Sequence, residues 1–267
     1  MNLSDFDKKS IIDTAIIMLD SARPIALSYF RKQTQVIENK LINGFDPVTM
    51  ADKEIELIFR KILTKERPED GIIGEEFQNI PSQSGLTWIL DPIDGTRGFI
   101  SGTPTWGMLI GVNNGSKTIF GAIDQPYTQE RFIGGFGHSS LETRDKITNI
   151  NVRPCSKLED ATLFSTMPQV GNISETELFN LVSNKCKLTR FGMDCYAYGL
   201  LALGQIDLVI EADLNIYDIQ GPLAVVEAAG GVVTDWQGGP VNSGGQIIAS
   251  GDSKIHAEVI KILNSGE

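Results

Sequence analysis

The residues best suited to chemistry in this chain are Asp91-Pro92-Ile93-Asp94-Gly95-Thr96. An apolar run from Leu86 to Leu90 leads into them and reads as a buried strand. That strand is expected to end at Asp91, because Pro92 has no N–H for a further ladder bond. Two carboxylates three residues apart follow, then a glycine that lets backbone N–H groups approach an anion, then a hydroxyl. Such a set at a strand end suits Mg²⁺ with a phosphate lying on it. Asp, Pro and Gly are also ordinary turn residues, and two aspartates at this spacing alone would say no more than that. Pro, Gly and Thr in these places tip the balance toward a metal and phosphate site.

Other acidic positions are ambiguous taken singly. Gly71-Ile-Ile-Gly74-Glu75-Glu76 reads as a short strand ending in an acidic turn. Thr49 and Asp52 have the spacing of a capping box, with Ile55, Ile58, Phe59 and Ile62 on one helical face beyond them. Asp218 stands just before a helical stretch, where an N-cap or the helix dipole would account for a carboxylate. Asp194 and Glu211 could each be a helix cap or a solvated acid.

Asp91-Pro-Ile-Asp94-Gly95-Thr96 resembles the first signature of the inositol monophosphatase superfamily, Mg²⁺-dependent and lithium-sensitive phosphomonoesterases. The wording from Asp91 to Val112 is most similar to the branch that acts as histidinol-phosphate phosphatase. The resemblance covers nearly the whole chain. Glu75 matches the first glutamate of the family's G-E-E, which ligates metal and polarises the attacking water, and Glu76 stands behind it. Asn215-Ile-Tyr217-Asp218 through Glu227-Ala-Ala-Gly230-Gly231 matches the second signature, with Tyr217 for its tryptophan and Gly221 for its alanine. Tyrosine there is again closer to the histidinol-phosphatase branch.

The resemblance implies a fructose-1,6-bisphosphatase-like layered αβαβα sandwich of the α/β (α+β) class. It implies metal ligands at Glu75, Asp91, the Ile93 carbonyl, Asp94 and Asp218, holding two or three Mg²⁺, with Mn²⁺ a substitute. Asp52 would hydrogen-bond Thr96 and help Glu75 activate water, and Lys40 would border the site. Asp94, Gly95, Thr96, Arg97, Asp194 and Glu211 would contact the substrate. A carboxylate is the expected partner for an ammonium group, so Glu211 and Asp194 point to L-histidinol phosphate. The alternatives are inositol 1-phosphate, a broader range of small phosphomonoesters, or a non-catalytic metal-binding relative. Family members are usually homodimers, which sets the expectation here.

Electrostatics agree with a metal. Two carboxylates ~4 Å apart repel by about 4 kcal/mol at an effective dielectric of ~20, so a cluster of them protonates in part or binds a cation. Only two histidines, His138 and His256, and three scattered cysteines argue against a zinc centre or a disulfide framework. All-oxygen ligation selects Mg²⁺ or Mn²⁺.

The elements that must position these groups follow from patterning. A helix is expected from Ser4 to about Arg31, bent or split at Pro24. Strands at Trp106–Val112, Thr118–Ile123 and Arg131–Phe136 suggest a mostly antiparallel sheet in a first half, residues 1–150. Strands at Thr162–Ser165, Leu188–Phe191 and Ile206–Ile210 alternate with helices at Ser174–Cys186 and Asp194–Leu203, suggesting a second α/β half, residues 151–267. A net charge of −11 disfavours nucleic acid as a partner. No apolar run nears the ~20 residues of a membrane span, and an acidic N-terminus unlike a signal peptide gives a cytoplasmic expectation.

Overall fold

The structure, a computed structural model, describes residues 3–32, 37–39 and 47–265. Lys40 falls outside the described residues. Helix α1 (Asp5–Tyr29) comes first, opened by a capping box between Ser4 and Asp7. Strands β1 (Ile37–Asn39) and β2 (Pro47–Thr49) pair antiparallel and lead into helix α2 (Met50–Glu66). Then come β3 (Gly71–Gly74), β4 (Thr87–Asp94), the short helix α3 (Thr96–Ser101), β5 (Gly107–Asn113), β6 (Thr118–Gln125), β7 (Glu130–Gly135), β8 (His138–Glu142) and β9 (Ile147–Asn149). The second half holds β10 (Thr162–Ser165), α4 (Ile173–Ser183), β11 (Leu188–Phe191), α5 (Tyr196–Ala202), β12 (Leu208–Leu214), α6 (Ile216–Ala228), β13 (Val232–Thr234), β14 (Gly245–Ser250) and α7 (Ser253–Leu263).

Strands β3 to β9 lie in chain order in one seven-stranded sheet, parallel only between β3 and β4. A five-stranded sheet has the order β11-β10-β12-β14-β13. Its first three strands are parallel, and β14 runs antiparallel to both neighbours. Alternation along each strand sorts side chains into three apolar layers. Met108, Ile110 and Val112 of β5 face α1 and α2, while Leu109 faces the opposite way, among residues of α5 and α6. In β14, Ile247 and Ala249 join that middle layer and Ile248 packs outward with residues of α4 and α7. The result is the expected αβαβα sandwich, with α5 and α6 between the sheets.

Two expectations about α1 and β4 need correction. Helix α1 is continuous from Asp5 to Tyr29, so Pro24 does not split it. Its buried stripe continues on both sides, at Met18, Leu19, Ala22 and Ala26, and neighbouring side chains are tied to the sheet. Arg23 forks onto Asp124 at 2.7 and 2.8 Å, and Arg131 donates to Asp20 at 2.6 Å. Strand β4, for its part, passes Pro92 and ends at Asp94. The hairpin β8–β9 carried too little alternation to be read in advance. Among the described residues no helix is long and apolar enough to cross a membrane.

One packing feature fixes where α6 sits. Gly111, Gly121 and Gly134 stand opposite one another on β5, β6 and β7, making a bare track across the sheet. A Cβ at Gly111 would lie 3.0 Å from Gln220 backbone. One at Gly121 would collide with the Gly221 carbonyl oxygen, and one at Gly134 with the Val225 backbone. Helix and sheet thus meet backbone to backbone.

Candidate active site

Residues three apart on a regular strand point to opposite faces. Asp91 pairs with Leu109 and Asp94 with Gly107, so three steps along β4 match two along β5. One extra residue, a bulge at Pro92-Ile93, restores the phase and turns both carboxylates to the face of α6. Proline's missing N–H falls where the ladder is already broken. Asp91 accepts from the Ile93 N–H at 3.0 Å. Gly95 then takes a left-handed conformation, φ 77°, and opens α3. The Thr96 hydroxyl donates to the Ile93 carbonyl at 3.0 Å.

Asp218 arrives on α6. Its place is the third residue of the helix, not the N-cap: Asn215 is the cap, and its N–H donates to the Asp218 carboxylate at 2.6 Å. One oxygen from each of Asp91, Asp94 and Asp218 lies within 4.8 Å of the others. Glu75 stands at the end of β3, lines the same cavity and shares a hydrogen bond with Asp91, but lies outside that tight trio. An oxygen-only set of carboxylates this close fits a hard divalent cation, which would hold them charged together. Ile93 also lines the cavity; one lone pair of its carbonyl oxygen receives Thr96, which leaves the other for a ligand.

Two supporting residues, Glu56 and Arg60, gave no signal in the sequence. Glu56, fully buried on α2, accepts from the Glu76 N–H and from Arg60, both at 2.7 Å. Arg60 also donates to the carbonyls of Phe77 and Gln78 at 3.0 and 2.9 Å, clamping the loop that follows Glu75. Asp194 precedes α5 rather than starting it, held at φ 46°. Its neighbour's N–H, from Cys195, donates to Asp94 at 2.7 Å. Asp194 itself accepts from Thr105 at 3.2 Å. Glu211 is buried and engaged through both oxygens: one takes the Thr166 N–H at 3.0 Å and the Thr166 hydroxyl, the other takes the Tyr198 hydroxyl at 2.7 Å. Arg97 is exposed and reaches the Met167 sulfur at 3.1 Å.

Asp52 departs from expectation. Its carboxylate closes the cap of α2, accepting from the Thr49 N–H at 2.8 Å and the Thr49 hydroxyl at 2.6 Å. No hydrogen bond joins it to Thr96 among the described residues. Thr49, three residues away on the same turn, takes the oxygen first, and the Thr96 hydroxyl is turned to its own helix start. The reading of Asp52 as a plain helix cap describes its bonds; proximity to Glu75 remains its link to the site.

Burial pushes the carboxyls up. Asp52 rises to about 7, mainly through desolvation, with Glu75 and Glu76 adding and the Thr49 bonds opposing. Asp218 also rises to about 7 by desolvation, against the Asn215 N–H. Asp91 and Asp94 lie well above the usual carboxylate range, again through desolvation first and neighbouring acids second. Raised values mean that the folded chain binds protons the unfolded chain releases above about 4. Without a divalent cation, the stability these groups add is therefore full below about pH 4 and is lost progressively as pH rises to the folded values, about 7 for Asp52 and Asp218. His256, held down to about 4 by burial, opposes that trend between about 4 and 6.5, one group against four carboxyls. Thermal melts in chelator are expected to show a Tm that falls between about pH 5 and 7. A divalent cation should flatten or invert the slope; an unchanged slope would mean that the carboxylates do not hold it.

Comparison with known proteins follows the same outline. The model of the inositol monophosphatase family matches residues 7–266. The chain is 35% identical to the chloroplastic bifunctional phosphatase IMPL2 of Arabidopsis thaliana, over 98% of this chain and 77% of that protein. It is 32% identical to a histidinol-phosphatase of Mycobacterium tuberculosis, over 82% of this chain and 85% of the other. A solved inositol monophosphatase from Zymomonas mobilis superposes with a TM-score of 0.84 at 36% identity, covering 98% of this chain and 99% of that one. With the acidic trio, the two-sheet sandwich and a match along almost its whole length, the chain belongs to the inositol monophosphatase family of metal-dependent phosphatases.

Proposed function

We propose that the protein hydrolyses L-histidinol phosphate to L-histidinol and phosphate, using Mg²⁺ held by Asp91, Asp94, Asp218, Glu75 and the Ile93 carbonyl. Bound there, Mg²⁺ supplies positive charge for the phosphate oxygens and the leaving alkoxide, and it acidifies water. The chain's own groups do the positioning. Gly95 and Thr96 line the cavity at the corner after the bulge, and their N–H groups hold phosphate oxygens. Glu75 orients a water in line with the ester bond and takes its proton. Asp52 acts at a distance, through the start of α2 that it caps beside Glu75. The Cys195 N–H keeps Asp94 fixed while charge shifts around it. Water oxygen bonds to phosphorus, the ester P–O bond breaks, and the departing alkoxide takes up a proton.

The observation that carries the choice of substrate is the acidic lining beyond the metal-facing residues. Asp194 and Glu211 line the same cavity, and Arg97 is the one cationic residue that does so among the described residues. Such a wall suits a leaving alcohol that bears an ammonium group. Inositol 1-phosphate is the second reading, favoured by the likeness to the Zymomonas mobilis protein. With Mg²⁺ saturating, kcat/KM on histidinol phosphate is expected to exceed that on inositol 1-phosphate at least tenfold. Equal values, or the reverse order, would shift the assignment to the inositol ester.

A further inference from the structure

Strand β12 breaks register with β14 between Glu211 and Leu214. Asp213 sits in that break with φ 67°, a left-handed conformation that aspartate and asparagine tolerate better than most side chains. The irregularity places Asp213 on the wall of the cavity, about 380 Å³, that also holds Asp91, Asp94 and Asp218.

Three carboxylates line this cavity outside the metal-facing set: Asp194, Glu211 and Asp213. They are not equally available. Asp194 takes the Thr105 hydroxyl and packs against Gly95 and Gly98, with the Arg97 charge near it. Glu211 is buried and has both oxygens committed to Thr166 and Tyr198. Asp213 is exposed to the cavity and makes no hydrogen bond or ion pair among the described residues.

We propose that Asp213 is a specificity-determining residue of this site, its carboxylate receiving the primary ammonium group on the alcohol of a phosphomonoester. A committed carboxylate must break existing bonds to accept a new donor; Asp213 need only shed water. Its fixed backbone also places the charge at one point on the cavity wall. The proposal rests on the phosphatase reading but not on the identity of the natural substrate.

The test uses matched ω-aminoalkyl and ω-hydroxyalkyl phosphates of two to four carbons with Mg²⁺, so that members of a pair differ in the terminal charge. The intact protein is expected to favour the amino ester in kcat/KM by at least tenfold at the best chain length, the scale of one charge-assisted hydrogen bond. Asp213→Asn and Asp213→Gly both keep the left-handed backbone. Each is expected to reduce the amino-to-hydroxy ratio about tenfold, through KM of the amino ester rather than its kcat. A ratio unmoved by both variants overturns the proposal, as does the absence of any preference in the intact protein. If the series behaves as expected while histidinol phosphate is not hydrolysed, only the assignment of the natural substrate fails.

Discussion

Asp94→Asn is expected to lower kcat at saturating Mg²⁺ by about 10³-fold, roughly 4 kcal/mol at the barrier. The amide is nearly isosteric and can still accept the Cys195 N–H that now reaches Asp94 at 2.7 Å. What it removes is a negative charge from a trio whose oxygens lie within 4.8 Å of one another. With that charge gone, the remaining acids repel each other less and attract a divalent cation less. The fold should therefore survive, and in chelator the variant should melt no lower than the parent. Steady-state kinetics across a Mg²⁺ titration, with melts in parallel, read both effects. A kcat near that of the parent would remove Asp94 from the chemistry.

The second large effect is mechanical. Gly121→Ala would drive a methyl group into the Gly221 carbonyl oxygen and within 2.9 Å of the Ala224 side chain. Neither the Gly221 backbone nor the Ala224 Cβ can rotate away, so no rotamer change relieves the clash and α6 must lift. Overpacking of this kind costs about 3 kcal/mol, which corresponds to a drop in Tm of roughly 6–12 °C. Asp218 moves with the helix while Asp91 and Asp94 stay with the sheet. Metal affinity, measured by calorimetry, should fall at least tenfold in the fraction that remains folded. Parental stability together with parental affinity would show that the helix is not seated by the glycine track.

The local part of this site was readable in the chain because its residues are neighbours. Asp91, Asp94, Gly95 and Thr96 belong to one corner, and their types alone suggest metal and phosphate. The bulge that gives Asp91 and Asp94 a common face was not readable, since proline at that point also suits a strand end. Thr49 and Asp52 were read correctly as a capping pair, and that same pairing removes the bond expected between Asp52 and Thr96. Asp218 was placed one turn early because Asn215 caps as well as aspartate does. Glu56 lay inside an amphipathic helix pattern as one more polar residue. Its role depends on the β3 corner, which meets it only in the folded chain. Asp213 carries no local signal either, since its conformation follows from the pairing of two strands far apart in sequence.

The placement of α6 between the sheets also has a kinetic consequence. The proposed cation-binding set spans residues 75 to 218, and its last member, Asp218, comes into place only when the helix docks on a sheet completed long before it in the chain. Contacts of such long sequence separation form late on the way to the native state. A divalent ion therefore has little to grip in the folding transition state, and its binding energy is added to the finished structure alone. Loading the protein should leave the refolding rate almost unchanged and slow its unfolding, so that the ion acts as a latch on a door already shut.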